Sequence, residues 1–331
     1  MVTITSLSRD DRSARMVLAV ALEPDDPVTG RLLATEGAVE TVRLALASGG
    51  MPRRVDPVAA ELWRSRVAPR MDARAVEQAV VGTERLGLRV LVPSDRDWPT
   101  GLNDLGDHAP TALWTRGATS FLEAPLRDRV TVTGVRAATG YGEHVACELA
   151  SDLANAERII VTGGSYGIDA AAHRAALTVG GQTIAVLAAG LDRLYPMGNN
   201  DLLERTGDVG LLVSEMPPGS VPTRSRFLAR NRVLGAISGV TVIVEAGHRS
   251  GALNVAARAA QLGRLIGAVP GPVTSAASAG THRLLRENVA SLVTDSRDVV
   301  SLLGSPSVGE RPTPTREDRI VRMTGRLGPA L

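Results

Sequence analysis

Short apolar runs alternate with helical patterns through the second half of this chain. Between the runs, apolar positions recur at helical spacing, which predicts intervening helices. Strands that alternate with helices predict an α/β fold with a doubly wound, mostly parallel sheet. The runs are continuously apolar, as expected when helices cover both faces of such a sheet. The predicted strands are 130–133, 158–162, 183–187, 210–213, 240–244 and 265–269.

The first part of the chain has a different pattern, one of short helices. Asp26 followed by Pro27 is typical of a helix N-terminus, and Gly49-Gly50 ends a helical pattern. Further helices are predicted at 57–67 and 72–85, and short strands at 88–92 and 112–115. We therefore predict three parts: a small helical domain (1–70), a larger α/β domain (71–304) and a Pro/Arg-containing tail (305–331) with a short helix near 316–323.

Composition narrows the functional classes. The chain has 331 residues and one cysteine, Cys147, so a disulfide framework is excluded and a structural zinc site is not expected. No apolar run approaches the roughly 20 residues that a membrane span needs, and the N-terminus lacks a secretory h-region. We expect a cytoplasmic protein without a membrane partner.

The chain contains no lysine, so all 37 basic residues are arginines. This excludes a P-loop lysine, a Schiff-base lysine and a pyridoxal-phosphate anchor. Every cation is therefore a planar guanidinium, which suits bidentate contacts with phosphate.

Charge is strongly polarised along the sequence. Residues 216–286 hold nine arginines and one acid, Glu245, a local net charge of +8 in a chain whose total is +2. Residues 101–215 have a net charge of −6. Such a basic segment is typical of a site for a polyanion. The alternative is a solvated face that lies against the acidic half of the same chain.

Glycine-rich turns follow several predicted strands. They include Gly134-Val135-Arg136, the run 163–167 (Gly-Gly-Ser-Tyr-Gly) and the segment 245–251. Ligands of open α/β sheets bind at the carboxyl ends of the strands, and glycines let backbone N–H groups approach an anion. The dinucleotide fingerprint G-x-G-x-x-G is absent, so no nicotinamide or flavin cofactor is predicted.

These segments resemble the DNA-processing protein A family (DprA, also called Smf). The similar stretches are GVRAATGYG (134–142), TGGSYGIDAAAH (162–173), TIAVLAAGLDRLYPMGN (183–199), LLVSEMPPG (211–219), FLARNRVLGAIS (227–238), VIVEAGHRSGALN (242–254) and GRLIGAVPGPVTSAASAG (263–280). The resemblance implies an extended Rossmann-like core preceded by a small helical domain.

The resemblance also implies a binding protein and not an enzyme. Family members bind single-stranded DNA without sequence preference, form homodimers and load RecA recombinase in natural transformation. Carried onto this chain, it implies phosphate contacts from Arg136, Arg230, Arg232 and two glycine-containing turns. With the residues chosen from the local pattern, the predicted DNA site comprises Gly134, Arg136, Gly163, Gly164, Ser165, Tyr166, Arg224, Arg226, Arg230, Asn231, Arg232, Arg249, Ser250 and Gly251.

Two arginines of this set cannot have the same role. Arg230 and Arg232 are two apart on a predicted helix, so they cannot share one face. One is predicted to bind DNA and the other to brace the fold. We expect Arg136 and Arg230 at an exposed anion site. Arg224 and Arg226 either follow the DNA backbone or are simply solvated, and Tyr166 either stacks on a base or packs over its loop.

The chain departs from the family pattern in three places. Val135 stands where a serine is usual, and Asn288 replaces a glycine. Many members carry a C-terminal winged-helix domain, which this sequence does not include. These departures affect phosphate geometry and partners rather than the fold.

A second class of function remains open, an enzyme or sensor for a nucleotide or sugar phosphate. Phosphoribohydrolases of Rossmann-like fold use a Gly-Gly turn and a glutamate after a strand, and Gly163-Gly164 with Glu245 resembles that pair. Otherwise no catalytic residue or metal site is predicted. We interpret His173 as a satisfied core or cap residue and Asp169 as a helix cap.

Overall fold

The computed structural model describes residues 3–47, 49–52 and 55–304. The C-terminal tail, with the helix predicted near 316–323, lies outside the described residues.

The N-terminal part is a layer of short helices. Four of them begin at aspartate caps, namely Asp10, Asp26, Asp56 and Asp72. Asp26, the cap predicted from the sequence, accepts hydrogen bonds from the N–H groups of Val28 and Thr29, both at 3.0 Å. Trp63 is fully buried in this layer and donates its indole N–H to Thr29 Oγ1 at 2.8 Å. The helices are α1 (Ile4–Leu7), α2 (Asp11–Ala21), α3 (Pro27–Glu36), α4 (Ala38–Leu46), α5 (Pro57–Val67) and α6 (Ala73–Arg85).

Helix α6 shares the apolar core of this layer. Its Val76 is buried in the same cluster as Val17, Leu18 and Trp63. The helical layer thus continues past residue 70, and the domain boundary placed there stays a prediction.

The rest of the described chain is built on one nine-stranded sheet. Its spatial order is β1-β2-β6-β5-β4-β3-β7-β8-β9. The seven strands from β3 to β9 pair with one another in parallel. At one edge, β2 pairs antiparallel with β6, and β1 pairs antiparallel with β2. The strands are β1 (Arg89–Leu91), β2 (Leu113–Gly117), β3 (Arg129–Thr133), β4 (Ile159–Thr162), β5 (Thr183–Leu187), β6 (Leu211–Ser214), β7 (Val240–Ile243), β8 (Leu265–Ala268) and β9 (Ser291–Leu292).

Helices cover both faces of the sheet, so the predicted doubly wound α/β fold is confirmed. Successive strand residues point to opposite faces: Ile160 packs in the cluster of Leu149 and Leu153, and Val161 in that of Leu234. The helices are α7 (Gly140–Asn155), α8 (Ile168–Thr178), α9 (Asn200–Val209), α10 (Arg224–Ala236), α11 (Ala252–Gln261), α12 (Ala279–Arg286) and α13 (Ser296–Leu303). No helix among the described residues is long and apolar enough to cross a membrane.

Strand β3 is the point where the order of the sheet reverses. From β3 the chain proceeds through β4 and β5 to β6 on one side, and β7, β8 and β9 lie on the other. In open α/β sheets, a crevice forms at the carboxyl ends of the strands at such a switch point. The sheet order therefore locates the site between the ends of β3 and β7.

Candidate nucleic-acid interface

A cleft of about 820 Å³ lies at this switch point. Its walls are the turn after β3, the loop before α11 and the first half of α10. It brings together nine of the fourteen residues predicted for the DNA site: Gly134, Arg136, Ser165, Arg224, Arg230, Asn231, Arg249, Ser250 and Gly251. Gly163, Gly164, Tyr166, Arg226 and Arg232 do not line it.

Three arginines of the cleft have no carboxylate partner among the residues that the structure describes. Arg136, Arg224 and Arg249 are exposed and line the cleft. Within the described ranges, none of them forms an ion pair with a carboxylate. Cations that converge on one concave surface without counter-charges attract an anionic ligand.

The turn after β3 is fixed between two neighbouring elements. Val135 donates its N–H to Glu245 O at 2.9 Å, and Ile168 donates to Val135 O at 3.3 Å. A Cβ at Gly134 would lie 2.6 Å from Ile168 Cγ1 and 2.8 Å from Glu245 O. Gly134 is therefore required for close packing of backbone segments. The fixed turn directs Arg136 from the end of β3 into the cleft.

The second turn is held by Asp169, which sits in the first turn of α8. This buried carboxylate accepts hydrogen bonds from Ser165 N at 3.1 Å, Ser165 Oγ at 2.7 Å and Thr133 Oγ1 at 2.7 Å. The cap position of α8 belongs to Gly167, with φ of 71°. Asp169 thus braces the loop instead of capping the helix. The N–H and the hydroxyl of Ser165 therefore both donate to the Asp169 carboxylate and are not directed at a ligand in this structure.

Arg230 is part of the cleft wall, but it is buried, so the expectation of an exposed side chain is wrong. Its Nη1 donates to Gly163 O at 2.9 Å and to Val186 O. Burial lowers the pKa of Arg230 to about 10. The nearby charge of Arg136 lowers the pKa further, whereas that of Asp169 acts to raise it. A Cβ at Gly163 would lie 2.5 Å from Nη1. The Gly163 position therefore admits the guanidinium, and Arg230 joins the ends of β4 and β5.

Arg226 and Arg232 lie on another side of α10, in an ion-pair cluster that we call the clasp. Its acids are Glu215 and, from the loop between α2 and α3, Glu23 and Asp25. Both Nη atoms of Arg232 donate to Glu215 at 2.8 Å, and Nε lies 3.4 Å from Asp25. Arg226 makes two bonds of 2.9 Å to Glu23.

The clasp gives Arg232 the bracing role expected of one member of the Arg230–Arg232 pair. Arg232 is 1% exposed, and it also donates Nε to His108 O at 2.6 Å. Burial acts to lower the pKa of Arg232, but Glu215 and Asp25 outweigh it, so the pKa is raised. A guanidinium so surrounded has no free donor direction toward the cleft.

Aromatic rings border the cleft, and two of them were not singled out from the sequence. Tyr195 and Phe227 line it, with ring centroids 5.9 Å apart. The guanidinium carbon of Arg136 lies 4.6 Å from the Phe227 centroid, and that of Arg230 lies 5.6 Å away. Phe227 precedes Arg230 by three residues on α10, and this helical spacing was the available signal. Tyr166 is outside the lining, and its hydroxyl accepts from Gly198 N at 3.1 Å.

Glu245, the carboxylate required by the enzyme alternative, is buried and occupied. Its oxygens accept from Thr139 N at 3.0 Å and Thr139 Oγ1 at 2.6 Å, and Thr139 caps α7. It does not line the cleft.

His173 is likewise a core residue, but it is not fully satisfied, because its buried Nε2 has no hydrogen-bond partner among the described residues. It is fully buried, and its Nδ1 lies 2.8 Å from Thr183 Oγ1. Because that hydroxyl donates to Ile160 O, the imidazole Nδ1 is the donor of the pair. Burial lowers the pKa of His173 to about 4.

The described residues contain no group of three side chains placed to hold a metal ion.

The fold and its switch-point cleft place the chain in the Rossmann-like class. The family model of DNA recombination-mediator protein A matches residues 89–304, more than half of the chain. The chain therefore belongs to this family, the one that the sequence motifs resemble.

Individual relatives agree with this assignment. DprA of Mycobacterium tuberculosis is 48% identical over 242 residues, which cover 70% of this chain and 62% of that protein. The chain thus matches less than two thirds of the mycobacterial protein's length. The structure of DprA from Streptococcus pneumoniae superposes with a TM-score of 0.70 at 27% identity, covering 91% of this chain and 98% of the other. DNA processing protein A of Helicobacter pylori, whose structure addresses its single-stranded DNA binding mode, superposes with a TM-score of 0.59 at 30% identity. The superposition covers 65% of this chain and 95% of the other.

Proposed function

We propose that this DNA-processing protein binds single-stranded DNA without sequence preference, through phosphates seated in the cleft. The observation that carries the proposal is the set of arginines Arg136, Arg224 and Arg249, which lie on one concave surface and meet no carboxylate among the described residues. Guanidinium groups recognise phosphate oxygens, which are the same in every nucleotide. The contacts would therefore fix the strand's path without reading bases.

Three supports favour a flexible single strand. The unpaired cations lie in a cleft, which a single strand can enter more easily than a rigid duplex. Tyr195 offers a half-exposed ring beside them, and base stacking tolerates any sequence. A relative of the same family, from Helicobacter pylori, is described by its single-stranded DNA binding mode.

The family further supports a cellular role and an assembly. We infer that the protein is a cytoplasmic homodimer that protects incoming DNA and delivers it to RecA recombinase during natural transformation. We also infer that it acts as a binder without catalysis and needs no cofactor.

The phosphoribohydrolase alternative lacks support at its key carboxylate. Glu245 uses both oxygens on Thr139, and the cleft does not include it. Asp169, the one acid of the lining, is engaged by Ser165 and Thr133. A nucleotide-binding site without a free carboxylate has no evident general base for hydrolysis.

The direct experiment is a titration of labelled oligo-dT at several salt concentrations. Each phosphate contact contributes about 0.7 to the slope of log K against log salt for single strands. Arg136→Ala and Arg249→Ala are each expected to reduce the slope by about that amount. Arg74→Ala, an exposed arginine on α6 away from the cleft, is the matched control and should leave the slope unchanged.

Competition separates the two functional classes. Unlabelled single strands should displace the probe, whereas duplex DNA and mononucleotides should compete weakly. A flat salt dependence, or a mononucleotide that competes as well as the polymer, would overturn the proposal in favour of a small-ligand site.

A further inference from the structure

We propose that Phe227 is a positioning residue: its ring holds the Arg136 guanidinium in place for phosphate while leaving the charge unneutralised. This inference rests on the proposed function and deepens it. It concerns how the leading cation of the cleft is ordered before DNA arrives.

Arg136 has a fixed backbone and a side chain with one observed support. The turn is pinned by the hydrogen bonds of Val135, and a Cβ at Gly167 would lie 2.5 Å from Arg136 O. Beyond Cβ, the contact that the described residues give its guanidinium is the Phe227 ring, 4.6 Å from centroid to Cζ. A cation within about 6 Å of a ring face is attracted by the ring quadrupole.

A carboxylate partner would order Arg136 as well, but with a cost to binding. The clasp illustrates this, because both Nη atoms of Arg232 donate to Glu215 and are not available to a ligand. An arginine loses about 2 kcal/mol of rotamer entropy when it is immobilised. When a ring orders the side chain, part of this entropy is already lost before DNA binds, which lowers the cost of binding. The N–H groups at the edge of the guanidinium still remain free to donate to phosphate.

The surroundings of Phe227 favour this role over direct base stacking. Its ring is partly buried and lies near the guanidinium of Arg136, that of Arg230 at 5.6 Å and the Tyr195 ring at 5.9 Å. Tyr195 is 44% exposed and is the freer ring of the pair. The structure thus assigns the cation contact to Phe227 and leaves base contact to Tyr195.

The test is a double-mutant cycle between Phe227→Leu and Arg136→Ala, read by oligo-dT affinity. Phe227→Leu alone should weaken binding roughly three- to tenfold, the size of a partly desolvated cation–π contact. In the Arg136→Ala background it should change affinity less than twofold, because the group it positions is gone. Phe227→Tyr retains a ring and should restore wild-type affinity.

A second probe, an oligomer of abasic sugar phosphates, separates positioning from stacking. The Phe227→Leu loss should persist on this strand, since the held group contacts phosphate. A loss that disappears on the abasic strand, or equal losses in both Arg136 backgrounds, would overturn the proposal. Phe227→Met serves in the same cycle if Phe227→Leu fails to fold.

The cycle also distinguishes the two levels of inference. Wild-type protein that does not bind oligo-dT contradicts the proposed function itself. Wild-type protein that binds, with no coupling between Phe227 and Arg136, contradicts the positioning role alone.

Discussion

Helix α10 presents two arginine surfaces with opposite electrostatic settings. In the clasp, Arg226 and Arg232 meet Glu23, Asp25 and Glu215. In the cleft, Arg224 faces the same region as Arg136 and Arg249, none of which meets an acid in the described part of the chain. One helix therefore serves as a brace on one side and, on our proposal, as a ligand surface on the other.

The difference shows that a basic run in a sequence is not itself a binding footprint. Clasp arginines belong to the alternative weighed from the sequence, a basic face lying against acids of the same chain. Cleft arginines fit the polyanion interpretation. What divides them is whether a carboxylate, from the loop between α2 and α3 or from Glu215 after β6, lies within reach of the guanidinium.

The largest effect is expected from breaking the clasp at Arg232. Removing one partner of a buried ion pair leaves the other charge unpaired, at a cost of about 3–5 kcal/mol of folding free energy. Arg232→Met should therefore strongly lower the free energy of unfolding in urea, because Glu215 stays largely buried. Arg224→Met, in the exposed cleft, should change it by less than about 0.5 kcal/mol. Equal stabilities of the two variants would erase the distinction between clasp and cleft.

Acid is expected to destabilise the fold through His173, which is buried and neutral, whereas the groups of the clasp are charged. The pKa of His173 is lowered by burial from 6.5 to about 4. Its contribution to stability is complete above pH 6.5 and is lost as pH falls through about 4, because the unfolded chain then binds the proton first. The loss is on the order of 3 kcal/mol.

Urea midpoints at pH 7 and pH 4.5 measure this contribution. Acid also protonates carboxylates elsewhere, so the informative quantity is the difference between wild type and His173→Gln. The variant should have a weaker pH dependence. An unchanged dependence would show that His173 is protonated in the fold without penalty.

DNA affinity provides a further comparison of cleft and clasp, with a smaller expected change in free energy. Arg136→Ala should reduce oligo-dT affinity about tenfold, since a hydrogen bond to a charged group contributes about 1.5–3 kcal/mol. Arg226→Ala should leave it within about twofold, because that guanidinium is bound to Glu23. Anisotropy titrations at one salt concentration suffice. A larger loss for Arg226→Ala than for Arg136→Ala would reverse the assignment of the two surfaces.

The smallest effect is expected at the exposed end of the clasp. Glu23 is 50% exposed beside Arg226, so this pair is partly screened by solvent. Glu23→Ala should cost about 0.2–1 kcal/mol of unfolding free energy, and less at high salt. Thermal unfolding at two salt concentrations checks this estimate, with Glu77→Ala on α6 as a control at an exposed glutamate that forms no ion pair with the described residues. A cost comparable to that of Arg232→Met would mean that the clasp acts as one cooperative unit.

Local patterns in the sequence determined the elements and much of the framework. Continuous apolar runs gave the parallel strands, and Asp26 with Pro27 gave the start of α3, because these signals depend on neighbours within a few residues. The glycine turns were also located, though Gly134 and Gly163 proved necessary for packing against Ile168 and Arg230. Sequence did not reveal β9 or α13, which are short and depend on the preceding strand for their place.

Only the tertiary structure decided which arginines are free. Arg226 finds its partner Glu23 at a separation of 203 residues, and Arg232 contacts His108 across 124. No local pattern encodes such pairs, since a guanidinium has the same intrinsic charge whether a carboxylate meets it or not. The switch point likewise depends on β3 lying between β4 and β7. The sequence by itself determined the Rossmann-like class and the basic segment at 216–286; the long-range contacts of α10 decided which arginines of that helix face the cleft.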